Sequence, residues 1–224
     1  MGVSVIIPTL NEESCLGRTL DRLREHRLHE IIVVDGGSTD GTRRLAAAEA
    51  RLVVSRPGRA CQMNAAAAAA SGDVLLFLHA DCWLEEGALE EAERCLQGRG
   101  VAAGCFHMTV DAPGPLYRLI GASASLRVRL AGLAYGDQGL FLRREVFDEL
   151  GGFPPVRLME DLLFSRRLRR RGRVVVAPRR IFVSPRRWRK VGIVRQTLRN
   201  WTLTALAATG VHPDRLAGFY PAVR

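Results

Sequence analysis

The residues of this chain best able to do chemistry are polar groups that directly follow short apolar runs. Leu76-Phe-Leu-His-Ala-Asp81 places His79 and Asp81 at the end of one such run. A carboxylate there suits a hard divalent cation, Mg2+ or Mn2+, carried on a diphosphate. It equally suits the N-cap of a helix expected over Glu85–Leu96. Asp35 follows Glu30-Ile-Ile-Val-Val and precedes Gly36-Gly37, so it is either a turn former or a ligand contact. The second reading gains weight because its strand is expected to neighbour that of Asp81. Glu160-Asp161 opens a helix after Gly151-Gly-Phe-Pro-Pro155. Either carboxylate could serve as a general base, or both could complement the helix dipole. Gly58-Arg59-Ala60, with Gln62 and Asn64, could meet a phosphate or nucleobase, or form a turn and helix start. Tyr135-Gly-Asp137-Gln138-Gly139 could face an acceptor or be a plain hairpin turn. Of His26, His29, His79, His107 and His212, which form no metal-ligand spacing, only His79 falls at the expected cleft.

These positions need a scaffold. Strands are expected at Val3–Pro8, Glu30–Asp35, Leu52–Ser55 and Val74–His79, separated by helices at Glu12–Leu28, Thr39–Ala50 and Gln62–Ala70. A helix at Glu86–Leu96 closes this half. Alternation of this kind predicts a mostly parallel central sheet with helices on both faces, and ligands bind beyond the carboxyl ends of such strands. All four loops after the strands should therefore converge on one edge. Beyond residue 100 the alternation loosens. Strands are expected at Gly104–Asp111, Gln138–Arg143, Val174–Ala177 and Ile181–Val183, and helices at Pro115–Leu130, Glu145–Leu150 and Asp161–Arg171. With no repeat or low-complexity linker, the 224 residues read as one α/β domain. It divides into 1–100 for the nucleotide, 101–190 for the acceptor and a C-terminal amphipathic helical segment at 191–224.

Composition narrows the classes. The chain is 47% hydrophobic and 25% charged, which excludes a disordered polycation. Its net charge of +10 is concentrated: fourteen basic and no acidic residues lie between Arg166 and Arg199, and the remainder is net −4. Only Lys190 among the basic residues is lysine, which fits either phosphate recognition or a general preference for arginine. No uncharged stretch is suited to span a bilayer. A strand almost at the start leaves no signal peptide expected, and Cys15, Cys61, Cys82, Cys95 and Cys105, an odd number without close pairs, suggest a reducing cytosol.

Four motifs in order, Val5-Ile-Ile-Pro-Thr-Leu-Asn-Glu12, Ile31-Ile-Val-Val-Asp-Gly-Gly-Ser-Thr-Asp-Gly-Thr42, Leu76-Phe-Leu-His-Ala-Asp81 and Met159-Glu-Asp161, resemble the family-2 glycosyltransferases of the GT-A fold. The likeness spans essentially the whole chain and extends to a small bacterial branch associated with radical-SAM and selenium-related genes. It implies inverting transfer from a nucleotide-diphosphate sugar to an acceptor hydroxyl. By position, Pro8, Thr9 and Glu12 would line the nucleoside pocket, Asp35 and Arg59 would lie near the base or ribose, Asp81 would hold the metal, and Asp161, with Glu160, would match the catalytic motif. His79 stands where the first aspartate of Asp-x-Asp is expected, and Gly36 where a second acidic residue is common. Ser184-Pro-Arg-Arg-Trp188 has the spacing of a Gln-x-x-Arg-Trp motif, which would put Arg187 on the diphosphate and Trp188 on an acceptor sugar. Apart from this likeness, Asp137 and Gln138 are candidates to face the acceptor, with a plain hairpin turn the equal alternative.

The basic segment leaves a further choice. Val191, Val194, Leu198, Trp201 and Ala205 form one helical face, either packed in the core or lying on an anionic membrane, where a lipid acceptor and a peripheral position on the inner face of the cell membrane would make sense. Three rivals remain: nucleotidyl transfer on the same fold, an inactive relative, and a nucleic-acid-binding protein using the arginine cluster. Nucleic acid is not the expected partner, because no binding module is recognisable and the cleft carboxylates would go unused.

Overall fold

The computed structural model describes residues 2–209 and 211–219. Strand β1 (Val3–Thr9) leads through helix α1 (Glu13–Leu23) to β2 (Glu30–Asp35), then α2 (Thr42–Glu49), β3 (Arg51–Val54), α3 (Arg59–Ala69) and β4 (Val74–Phe77). These four strands pair in parallel, in the order β3-β2-β1-β4. Their carboxyl ends therefore share one edge, as the alternation predicts. Because β1 lies between β2 and β4, the strands of Asp35 and Asp81 are not neighbours, contrary to the expectation from sequence, and adjacency does not link Asp35 to Asp81. Helix α1 stops at Leu23 rather than Leu28, since the chain must return to the sheet, where the His29 N–H already donates to the Val3 carbonyl at 3.0 Å.

The second half adds β5 (Cys82–Leu84), α4 (Ala88–Leu96), β6 (Val101–Val110), α5 (Pro115–Ala131), β7 (Leu140–Arg143), α6 (Arg144–Glu149), α7 (Glu160–Arg171), β8 (Arg173–Val183), α8 (Arg186–Val191), α9 (Ile193–Ala208) and α10 (Pro213–Leu216). The sheet continues as β4-β7-β6-β8-β5, with β7 antiparallel to both neighbours, β6 parallel to β8, and β5 antiparallel to β8. Four of the seven pairings are parallel, so the sheet is mixed. β8 is one strand where two are expected; between Phe106 and His107 its register slips past Pro178 and Arg179, and proline has no N–H for the ladder. Strand β5 was not anticipated, being too short for a readable period. It leaves Asp81 in the turn between β4 and β5, while Gly87 caps α4, so Asp81 is not a helix cap.

The period of two sorts the core. Val3, Val5 and Ile7 of β1 and Val74 and Leu76 of β4 pack with Leu16, Leu20 and Leu89 on one face. Ile6, Leu75 and Phe77 pack on the other with Met63, Phe147, Phe153 and Phe164. The alanine run contributes Ala66 and Ala67, whose small side chains let α3 approach the sheet closely. The C-terminal helix corrects one expectation. Its buried face is Gln196, Leu203 and Ala207, whereas Val194, Leu198 and Trp201 are 62%, 54% and 55% exposed. The apolar face read from the sequence is not core. Residues 220–224 of the C-terminal segment lie outside the described residues.

Candidate functional site

A cleft opens at the carboxyl edge of the sheet, and several separate segments of the chain supply its walls. Pro8 and Glu12 come from the loop after β1, Arg59 from the start of α3, and His79, Ala80 and Asp81 from the turn after β4. Tyr135 and Asp137 come from a short 3-10 turn at Gly136–Gln138, and Met159 and Asp161 from the start of α7. Ser184, Arg186, Arg187 and Trp188 close the side formed by α8. Nine of the site residues expected from sequence thus meet: Pro8, Glu12, Arg59, His79, Asp81, Asp137, Asp161, Arg187 and Trp188.

Thr9, Asp35, Gln138 and Glu160 do not line this cleft; they brace it. Thr9 Oγ1 donates to the Val34 carbonyl at 3.3 Å. Asp35 is fully buried and accepts the Gly37 N–H at 2.9 Å and the Ser38 N–H at 3.0 Å, a closed turn. Gln138 accepts from Arg127 at 2.7 Å, and Glu160 is buried against Arg59 at 3.3 Å. Burial pushes the Glu160 carboxyl upward; Arg59 opposes this and the neighbouring Asp161 charge adds to it. Gln62 and Asn64 are structural too: Gln62 Nε2 donates to the Thr9 and Val34 carbonyls, and Asn64 clasps the backbone of Phe153 with both ends of its amide. A side-chain carbon at Gly36 would stand 2.9 Å from the Gln62 amide, so a larger residue there would have to displace Gln62.

Asp161 is the carboxylate turned to the cleft. Its Oδ2 accepts the Gly136 N–H at 2.7 Å and its Oδ1 the Leu162 N–H at 2.7 Å, so backbone fixes its orientation. The preceding Met159 has φ 62°, a conformation that costs a side chain with Cβ about 1–3 kcal/mol. Gly136 leaves little room for a side chain: a Cβ there would lie 2.7 Å from His79 Nε2, which would have to shift, and 3.5 Å from Asp161 Oδ2. Burial, aided by the Arg59 cation, pushes the His79 imidazole down to about 3, so the ring is neutral. Burial also raises the Asp137 carboxyl, against the pull of Arg127. Three buried side-chain atoms without a hydrogen-bond partner in the structure, His79 Nε2, Asp137 Oδ1 and Trp188 Nε1, belong to residues lining this cleft. Unpaired buried polar atoms of this kind mark where a ligand's polar groups are expected.

Sequence reasoning missed Arg186. Its Nη1 and Nη2 donate to the two Glu12 oxygens at 2.7 and 2.9 Å, and its Nε donates to Asp81 Oδ2 at 2.7 Å. Burial works against its charge, but the Glu12 hydrogen bond and the Asp81 and Glu12 charges outweigh that and raise its pKa above the usual range. The Arg186-Arg187 pair was the only signal, and nothing local says which member reaches across to Glu12. His79, Asp81 and Cys82 offer potential metal ligands within 4.8 Å of one another. Burial and the Asp81 charge hold the Cys82 thiol well above its ordinary pKa, so it is a poor ligand. One carboxylate and one imidazole fit a divalent cation whose other ligands are phosphate oxygens and water.

Comparison with known proteins bears on the family and the fold. The chain is 27% identical over 169 residues to the glycosyltransferase AglE of Haloferax volcanii, which covers 68% of the chain and 56% of that protein. It is 34% identical over 162 residues to an uncharacterised glycosyltransferase of Mycobacterium tuberculosis, covering 67% of the chain and 62% of the relative. A mannosyltransferase of Pyrobaculum calidifontis, solved with GDP-Man and Mn2+, superposes with a TM-score of 0.69 at 22% identity, covering 96% of the chain and 66% of that structure. Glucosyl-3-phosphoglycerate synthase of Mycobacterium tuberculosis, solved with Mn2+, UDP-glucose and phosphoglyceric acid, superposes with a TM-score of 0.58 at 25% identity, covering 80% and 70%. The chain thus spans 56% and 62% of the lengths of these two sequence relatives. The description "Glycosyl transferase family 2" matches residues 4–151, about two thirds of the sequence. The chain belongs to glycosyl transferase family 2.

Proposed function

We propose that this cleft transfers a sugar, with inversion, from a nucleotide-diphosphate sugar to an acceptor hydroxyl. The observation that carries this reading is the meeting of Asp81 and Asp161 in one cleft, joined through Gly136, which binds Asp161 by its N–H and packs against His79. Relatives solved with GDP-Man or UDP-glucose and Mn2+ support the donor class and the metal. Asp81, with His79, would hold Mn2+ or Mg2+, and the bound cation would offset charge growing on the leaving diphosphate. Arg187 lines the same wall and supplies a second positive charge there. Pro8, Glu12 and Arg59 shape the donor side, which makes residues 1–100 the donor half. Asp137 and Trp188 shape the acceptor side in 101–190.

Asp161 is the base in this reading. Held by two backbone N–H groups, its carboxylate takes the acceptor hydroxyl's proton as the hydroxyl oxygen bonds the anomeric carbon from the face opposite the departing diphosphate. Glu160 holds Arg59 instead of reacting. The motif spacing further supports placement in the small bacterial branch named above, and five free cysteines accord with a reducing compartment. The test is thermal-shift screening against UDP-, GDP- and dTDP-sugars with and without Mn2+, followed by transfer assays on Asp161→Asn and Asp81→Asn. Asp161→Asn is expected to bind donor but not transfer, and Asp81→Asn to lose the metal-dependent part of donor binding. Undiminished transfer by Asp161→Asn would overturn the assignment.

A further inference from the structure

Among the described residues, eight of the ten exposed large apolar side chains sit on only two helices, α5 and α9. On α5, Leu116, Leu119, Ser123, Leu126 and Leu130 recur at alternating intervals of three and four, so they form one stripe along the helix. The opposite face, with Tyr117, Gly121, Ala124 and Val128, is buried. The four leucines are 47–79% exposed, far from the isolated surface leucine that needs no explanation. On α9, Val194, Leu198, Trp201 and Ala205 form a second stripe, again opposite the buried face.

A groove runs between the two helices, lined by Ile120 and Ser123 of α5, Thr197 and Trp201 of α9, and Met108 and Trp188. It shares Tyr135, Asp137, Trp188, Asn200 and Thr204 with the cleft that holds Asp161. The Tyr135 hydroxyl bonds Thr204 Oγ1 at 2.9 Å where the two meet. Neither α5, α8 nor α9 contains an acidic residue, and Arg118 and Arg129 on one helix and Arg189 and Arg195 on the others are exposed beside the stripes.

We propose that α5 and α9 form a docking surface for an anionic lipid bilayer, and that the groove between them admits the hydrocarbon chain of a lipid-borne acceptor. The second part rests on the reading of Asp161 as the transferring base. Leucines enter the acyl region, Trp201 sits at the interface, and the flanking arginines meet lipid phosphates. The acceptor head group then arrives at Asp137 and Asp161 from the membrane side, while the donor half faces away. Nucleic acid does not match a surface whose centre is leucine, and a second copy would bring like charges together at the flanks and close the acceptor's route.

The test uses the full chain and vesicles of phosphatidylcholine with or without phosphatidylglycerol. Trp83 and Trp188 are 7% exposed, so Trp201 dominates the environment-sensitive emission. Phosphatidylglycerol vesicles should shift that emission to the blue, chain-brominated lipids should quench it, and salt should weaken binding. Leu119→Glu/Leu126→Glu should bind vesicles roughly 10-fold or more weakly while keeping its donor-induced thermal shift; Leu130→Glu, at the most exposed position, gives the same readout should the double variant fold poorly. Dodecyl phosphate should raise the melting temperature of the native chain and not of Ser123→Trp, which fills the groove. Absence of vesicle binding at low salt overturns the proposal, as does binding unchanged in the leucine variants, or a dimer dispersed by those variants without any lipid binding. A dodecyl phosphate shift that is absent from the native chain, or unchanged in Ser123→Trp, overturns the groove assignment. None of these readouts requires transfer, so failure of the Asp161 assignment would show separately, as an active Asp161→Asn.

Discussion

The two halves of the sheet treat their polar groups differently. After β1 and β2 the loop residues bond mainly to one another: Asn11 Oδ1 accepts the Thr39 N–H at 2.8 Å, the Glu12 N–H donates to Thr42 Oγ1 at 2.8 Å, and Asp35 closes its own turn. Across the cleft, Asp137 Oδ1 and Trp188 Nε1 are buried without a partner, as is His79 Nε2 after β4, and the leucines of α5 stand in the open. A network satisfied within itself gives a rigid floor. Polar atoms left unpaired beside an apolar groove define the side that meets a variable partner. Arg186 is the bolt between the halves, pairing with Glu12 and Asp81 from 174 and 105 residues away.

The sharpest way to separate the halves is at Asp161. Asp161→Asn should lower the transfer rate by about 10^2–10^4-fold, the usual worth of a general base, with donor affinity unchanged, read by steady-state transfer beside donor titration. Gly136→Ala should come next, at roughly 10^2-fold in rate, because the new methyl meets His79 and displaces the N–H that orients Asp161. An alanine variant with native kinetics would show that the close approach is dispensable. Arg186→Gln should cost about 1–3 kcal/mol in urea unfolding, a discounted value for a pair that is partly exposed, since Glu12 and Asp81 lose their shared cation. Asp35→Ala tests the self-contained floor: it should lower stability by about 1–3 kcal/mol, through the turn amides left unpaired, more than it slows catalysis.

The smallest effect expected is an acid-range one at Glu30. Burial alone would raise its pKa, but hydrogen bonds from Ser71, Ser4 and Arg51 outweigh that and lower it from 4.5 to about 2. A lowered carboxyl stabilises the fold fully above 4.5 and loses that contribution as pH falls toward 2. Glu30→Gln should therefore flatten the fall in stability across that window and cost about 1 kcal/mol near neutrality, measured by urea unfolding at several pH values.

How much of this was legible in the sequence follows from what each signal depends on. The strand and helix alternation through β4 depends on periods within a few residues, and its elements lie where the pattern puts them, apart from their ends. Glu30–Asp35 is a strand as read. The loops after the strands were correctly directed to one edge, because parallel strands force their ends together. β5 and the continuous β8 were not legible, since three residues carry no period and a bulge at proline resembles a break.

The sequence by itself determined the order of strands and helices through β4, the family to which four spaced motifs point, and the carboxylates that could react. Only the tertiary structure decided which of them face the cleft: Asp161 and not Glu160, Asp81 and not Asp35. It also brought Arg186 between Glu12 and Asp81, and left the stripes of α5 and α9 outside the core. The reason is physical. A periodic pattern states that a helix has an apolar face, but whether that face meets the sheet or the solvent depends on packing partners distant in the chain.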